Sequence, residues 1–376
     1  MANSHESTAA SAPLTYKNSL ASIGDAGELE AASDPEVEPS DPADILNTIT
    51  AELSKCAPLR GVPIFRWPSS DLALAGRDAD AAKRIRSTMQ RLKLSGPCRP
   101  MTVPPEDWSA QLDEIERTCP SFGPVIRRAI RPHLALIAMG IAHRLAPILL
   151  LGPPGTGKTH FAHALAAPFG VPTPLFLPIA QETNGSQLAG SSTFWSNSSP
   201  GTLFELLAWP RGQQQPVANP LMVLDEIDKA AELPYSPLGA LYTLLEADTA
   251  AMFRDQALPD VVIDASHLRV IATANEIGAL TPPLLSRMTV FEISPPGPDE
   301  QRLLVLNIFA RVIQRLQVEF EPELDARVLD SATDLSAREI RLRLEAAIAT
   351  ALVDGRTRLR ISDWTAVCPH PSARDR

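Results

Sequence analysis

The chain has 376 residues, 44% of them hydrophobic, with a formal net charge of −10, as expected of a soluble protein long enough for two or three domains. The charge is unevenly placed: residues 1–44 hold nine acids against Lys17 alone, which leaves the rest near neutral and argues against a generally basic nucleic-acid binder. The opening residues lack a charged-then-apolar leader, and the longest apolar run, Leu134 to Ala142, is too short to span a bilayer, so a cytoplasmic location and no membrane partner are expected.

In chain order, residues 1–44 are rich in Ser, Ala, Pro and acids, with too few large apolar side chains to offset the entropy of ordering. They read as a disordered acidic tail, either a solubilising extension or a docking segment. Residues 45–120 read as a mostly helical region. Ile45, Leu46, Ile49 and Leu53 have helical spacing, residues 81–94 form a helix carrying Lys83, Arg84, Arg86, Arg91 and Lys93, and a further helix begins near Trp108. A helix from Phe122 to Arg144, interrupted at Pro132, leads into the first of five apolar runs: 148–151, 175–179, 221–224, 268–274 and 289–293. Strands alternating with helical stretches imply a parallel sheet covered on both faces, with chemistry just beyond the carboxyl ends of the strands. Cys56, Cys98, Cys119 and Cys368 lack paired spacing, so neither a zinc site nor a disulfide framework is expected. His160 and His163 share a helix face without a third ligand and read as packing or solvent-facing residues.

The first run is followed by Gly152-Pro153-Pro154-Gly155-Thr156-Gly157-Lys158-Thr159, a G-x-x-x-x-G-K-[ST] loop between strand and helix. The glycines allow consecutive N–H groups to turn inward around phosphate. Lys158 supplies a positive charge for the β- and γ-phosphates and Thr159 a hydroxyl for Mg²⁺. The third run delivers Asp225 and Glu226, 67 residues after Lys158. Asp225 suits the metal and Glu226 suits activation of water. The fourth run ends at Asn275, which either orients water beside the γ-phosphate or forms a turn. Arg287 precedes the fifth run as a candidate arginine finger for a neighbouring subunit's nucleotide.

With these features in order the chain resembles the AAA+ ATPases, and most of all the ATPase module of Lon proteases, from about Phe122 to about Cys368. The carrying residues are the loop 152–159, Leu224-Asp225-Glu226-Ile227-Asp228-Lys229 and Leu284-Leu285-Ser286-Arg287-Met288. The resemblance implies an α/β P-loop NTPase (AAA+) fold, a parallel sheet sandwiched by helices, over residues 121–296. A small helical lid over 297–370 follows. It also implies ATP and Mg²⁺ as cofactors, a homo-oligomer of six subunits and a protein substrate. Phe194 and Trp195 fall where such motors carry an aromatic pore loop, although Ser196 replaces the family's glycine. Burial of both rings in a core is the alternative. Arg338 stands where the family carries its sensor 2 arginine, with Arg341 and Arg343 as rivals.

One departure from Lon is expected. Lys229 is the last lysine and the sequence stops at Arg376, so no serine-lysine protease dyad is anticipated here, and a protease would come from a separate partner protein. The expected function is therefore an ATP-hydrolysing motor that remodels or threads proteins. A nucleic-acid motor or loader, with the basic helix as its only suitable face, and an ATP-dependent assembly scaffold are the alternatives.

Overall fold

The computed structural model describes residues 61–68, 79–179, 185–192, 198–230, 238–333 and 335–367, all within the compact unit Leu53–Arg376. The acidic tail, the helix expected from Ile45, and Phe194 and Trp195 lie outside the described residues.

Nine strands occur among the described residues: β1 (Val62–Pro63), β2 (Phe65–Arg66), β3 (Cys98–Arg99), β4 (Ile148–Leu151), β5 (Leu175–Pro178), β6 (Leu221–Asp225), β7 (Val262–Ile263), β8 (Arg269–Ala274) and β9 (Thr289–Glu292). The five apolar runs build one parallel sheet in the order β5-β6-β8-β4-β9. Period-two alternation divides its side chains between two cores. Ile148, Leu150, Val223 and Ile271 pack with Phe122, Ile126 and Phe161 on one face. Leu149, Leu151, Leu224 and Ala272 pack with Leu203, Phe204 and Leu241 on the other. Both faces are covered, which is why β4, β6 and β8 read as continuous apolar runs. β9 is an edge strand, and Val290 there is exposed.

The N-terminal region packs onto the sheet domain. Helix α1 (Ala79–Ser95) turns Ala82, Ile85, Met89 and Leu92 inward, and Ile64, Phe65 and Met101 join the same core as the sheet. β1 pairs antiparallel with β3, and β2 with β7. The described part of 45–120 therefore packs as an extension of the sheet domain, with the helix expected over 81–94 present as α1. Arg99 and Ala218 fasten it: the Arg99 guanidinium donates to the Leu207 and Ala208 carbonyls, and Ala218 N–H donates to the Pro100 carbonyl.

Pro132 behaves differently from expectation. Helix α2 (Trp108–Thr118) is followed by a helical path from Pro120 to α3 (Arg131–Ala138), which includes a π turn over Ile126–Ile130. Arg131 N–H donates to the Ile126 carbonyl, and Pro132 directly follows this π turn, whose wider spacing accommodates a residue without an N–H inside a continuing helical path. The path ends at Ala138, well short of Arg144, because Gly140 takes a left-handed conformation (φ 81°) and stops the helix.

After the sheet, α7 (Pro298–Leu316), α8 (Ala326–Ser331), α9 (Ala337–Val353) and α10 (Ile361–Ala366) enclose a third core of Val305, Phe309, Ile340, Leu344, Ile348 and Trp364. Between β4 and α7 lie α4 (Lys158–Ala164), α5 (Thr202–Ala208) and α6 (Leu238–Leu245), together with shorter helical turns. Ser336 caps α9, its hydroxyl accepting from Glu339 N–H while the Glu339 carboxylate accepts from Ser336 N–H. Among the described residues no helix is long and apolar enough to cross a membrane.

Candidate functional site

The carboxyl ends of β4, β6 and β8 lie side by side, and the loops leaving them meet. Gly152 leaves β4 against β9's exit: a Cβ there would stand 2.2 Å from the Ile293 carbonyl oxygen, so no larger residue fits. Gly155 and Gly157 hold φ of 84° and 87°, a region that other residues avoid. Gly157 sets the start of α4 at Lys158.

Lys158 is buried at 6% exposure, and its Nζ donates to the Gly152 carbonyl (2.6 Å), the Pro153 carbonyl (2.9 Å) and Asn275 Oδ1 (3.0 Å). These three acceptors satisfy the ammonium's three protons. Burial lowers its pKa, opposed by the charges of Asp228, Asp225 and Glu226. The expected residues Lys158 and Asn275 are thus in direct contact across two strands.

Thr159 donates to Asp225 Oδ1 at 2.6 Å, which places the two expected metal-binding oxygens together. Hydroxyl and carboxylate oxygens are the hard donors that Mg²⁺ selects. A residue that sequence reasoning passed over completes this corner. The buried Thr273 hydroxyl donates to Asp225 Oδ1 (2.8 Å) and accepts from Glu226 N–H (3.0 Å). Glu226 itself stands in a left-handed conformation (φ 54°, ψ 52°). For a non-glycine residue that is strained by roughly 1–3 kcal/mol, and it leaves the side chain exposed at the mouth of the site. Asn275 N–H donates to Asp228 Oδ2 (3.2 Å), so the acidic triplet after β6 fixes Asn275 as well.

Arg287 lies elsewhere. β4 and β9 run parallel with Ile148 level with Thr289, so Arg287 sits beyond the end of the sheet opposite to Gly152, about 20 Å away at about 3.3 Å per residue. Its Nη1 donates to the Pro283 carbonyl (2.6 Å), its Nε is 3.8 Å from Glu246, and its guanidinium lies 5.7 Å from the Tyr242 ring. It cannot reach its own chain's loop.

A cavity of about 460 Å³ opens between the loop and the lid, a size suited to a small organic ligand. The glycine loop contributes Gly155, Thr156 and Gly157, the segment before the π turn contributes Pro120 to Phe122, and α7 contributes Leu304, Ile308 and Arg311. Ser336 comes within 3.1 Å of where a Gly155 Cβ would be, so lid and loop are in contact. Of the three rival arginines, Arg343 lies over the Trp364 ring (5.7 Å) inside the lid. Arg341 lines the cavity but is 3.8 Å from Glu345. Arg338 lines it with no ion pair among the described residues. His160, expected to pack or face solvent, also lines it and contacts Arg311. The sequence pointed to the lid and its arginines, but the wall formed by Pro120 to Phe122 was not legible, because it meets α7 at a separation of 179 residues in the Ser121 to Glu300 hydrogen bond.

Comparison with known proteins finds a matching family model and similar chains. Residues 148–295 match the model of the ATPase family associated with various cellular activities (AAA). The chain is 30% identical over 193 residues to Lon protease 4 of Sorangium cellulosum, covering 51% of this chain and 23% of that protein. It is 32% identical over 172 residues to the peroxisomal Lon protease homolog 2 of Spinacia oleracea, covering 45% and 19%. It is 34% identical over 150 residues to the Lon protease of Mesomycoplasma hyopneumoniae, covering 39% and 16%. The chain thus spans about a fifth of the length of these Lon proteins. A solved S. cerevisiae Hsp104:casein complex matches 74% of this chain and 53% of that chain with a TM-score of 0.53 at 15% identity, a likeness of fold.

Proposed function

We propose that this chain, which carries a Lon-like AAA ATPase domain over residues 148–295, hydrolyses ATP to ADP and phosphate and uses the energy to remodel or thread protein substrates. The observation that carries the reading is the single cluster in which Lys158 touches Asn275, Thr159 touches Asp225, and Thr273 joins Asp225 to Glu226. The loop N–H groups of 152–159 and Lys158 bind the phosphates, Lys158 leaving its carbonyl partners for the ligand. Thr159 and Asp225 hold Mg²⁺, which supplies charge neutralisation of the phosphates when bound. Glu226 takes the proton of the attacking water, Asn275 orients that water, and Arg338 enters from the lid. Arg287, at the far end of the sheet beside an edge strand, serves a neighbour's site in a ring of six. The base and sugar occupy the cavity between Phe122 and α7.

The likeness to Lon proteins supports a polypeptide as substrate, with Phe194 and Trp195 as the gripping residues. The test is Lys158→Ala, which removes the charge facing the phosphates: calorimetry should find ATP affinity reduced at least tenfold. Wild-type affinity in that variant would contradict the proposed site.

A further inference from the structure

Asp255 is a carboxylate with no role in the hydrolysis described above, and it is completely buried at 0% exposure. No cation pairs with it among the described residues. Such a group persists only when hydrogen bonds satisfy it, and the bonds that do so come from two different loops. Oδ2 accepts from Gly201 N–H at 2.7 Å, and Oδ1 accepts from Ala257 N–H at 2.8 Å.

Both loops are built around that contact. Gly190 and Gly201 are the two feet of the stem formed by residues 190–192 and 198–201. A Cβ on Gly190, which has φ 80°, would stand 2.2 Å from Asp255 Oδ1, and one on Gly201 would stand 2.3 Å from Gly190 N. Above the feet the stem is closed by Ser191 N–H to the Ser199 carbonyl (3.0 Å), Ser199 N–H to Ser191 Oγ (2.8 Å) and Ser198 Oγ to the Ser191 carbonyl (2.9 Å). On the other side, Gln256 N–H donates to the Ala189 carbonyl (2.8 Å), and Ile263 N–H donates to the Phe253 carbonyl (2.8 Å). Phe253 and Ile263 belong to the main core, and β7 pairs with β2. The stem of 190–201 therefore stands on the 253–263 segment, which is itself anchored in the sheet domain and the N-terminal extension.

We propose that Asp255 is a positioning residue that clamps the stem of the 190–201 loop to the 253–263 segment, so that the two move as one unit when the loop bears on a polypeptide. Only a carboxylate presents two acceptors to two N–H groups at once. An amide in the same place would set its NH₂ against one of them. Burial raises the Asp255 carboxyl to about 6, against the lowering effect of the Gly201, Ala257 and Leu258 N–H groups and with a smaller rise from Glu205, so the donors keep charged a group that burial disfavours. The role in gripping rests on the proposed protein substrate; the clamp itself does not.

The test is Asp255→Asn, followed by amide exchange in the nucleotide-free protein. Peptides covering 188–192, 198–203 and 253–258 should speed up together by about tenfold or more, with the sheet peptides 148–151 and 269–274 unchanged. A rise confined to one of the two loops, or spread over the sheet, overturns the clamp. If the variant fails to fold, the wild-type protein decides. The Gly201 and Ala257 amides bond to the two oxygens of one carboxylate and should open with protection factors within about fivefold of each other; a larger difference contradicts a joint unit. A second arm uses casein as an unfolded probe. The variant should keep its KM for ATP within about twofold and lose at least fivefold of the casein stimulation of turnover; a raised KM with stimulation intact overturns the positioning role. Should casein fail to stimulate the wild type, the proposed protein substrate fails, while the exchange measurements still judge the clamp.

Discussion

Replacing Thr273 by valine isolates one atom of the site. The two side chains share a shape, Thr273 is 1% exposed, and its hydroxyl makes the 2.8 Å bond to Asp225 and the 3.0 Å bond from Glu226 N–H. Loss of that acceptor leaves a partly buried N–H unpaired, at roughly 1–3 kcal/mol. It does so at Glu226, whose left-handed backbone is already strained by a similar amount. The strain is then unopposed, and the carboxylate leaves its position at the mouth of the site. Thr273→Val should therefore lower phosphate release by about 10–100-fold, each tenfold corresponding to about 1.4 kcal/mol. Lys158 and the glycine loop are untouched, so the Kd for ATP should stay within about threefold by calorimetry. Thr273→Ser, which keeps the hydroxyl, should stay close to wild type. Thr273→Val hydrolysing at the wild-type rate, or losing affinity and turnover equally, would refute the bridging role.

On the proposed service in trans, Arg287→Ala should bind ATP normally and hydrolyse it about 10³-fold more slowly, the usual worth of a finger arginine. Mixed with Lys158→Ala subunits it should regain activity that neither has alone, and mixed oligomers that stay inactive would rule out service in trans. Asp255 predicts a pH effect of defined sign. Its carboxyl lies at about 6 in the fold against 3.8 ordinarily, so the folded state binds the extra proton, and stability falls as pH rises from about 4 to about 6, by up to roughly 3 kcal/mol. Thermal melts of Asp255→Asn should lack this slope, and a slope unchanged from wild type would contradict it. Phe194→Ala with Trp195→Ala should leave basal ATPase intact and abolish stimulation by unfolded protein. A large fall in melting temperature would instead mark both rings as core.

The sheet was legible because its five strands are short apolar runs whose alternate residues serve two cores, and the glycine loop because Gly152, Gly155 and Gly157 each answer a backbone requirement. What escaped were features made by tertiary contact. Strands of two residues, such as Val62–Pro63 and Cys98–Arg99, carry no periodicity to read, so the antiparallel pairings that tie the N-terminal region to the rest went unread. Pro132 predicts a break by its chemistry, but the wider spacing of the π turn at Ile126–Ile130 accommodates a residue without an N–H. The strained backbone of Glu226 and the Thr273 bridge depend on β6 lying beside β8, which no local pattern encodes. That Arg338 and Arg341 line the cavity while Arg343 lies over Trp364 likewise follows from the rotation of α9 against the lid core.

The most direct test of the site is ATP binding and phosphate release measured together on the wild type and on Glu226→Gln. The glutamine keeps the shape and removes the proton acceptor. The variant should bind ATP with wild-type affinity and release phosphate about 10²–10⁴-fold more slowly, the usual worth of a positioned general base. A variant that turns over ATP at the wild-type rate would contradict the assignment of Glu226, and with it the proposed route of nucleotide hydrolysis.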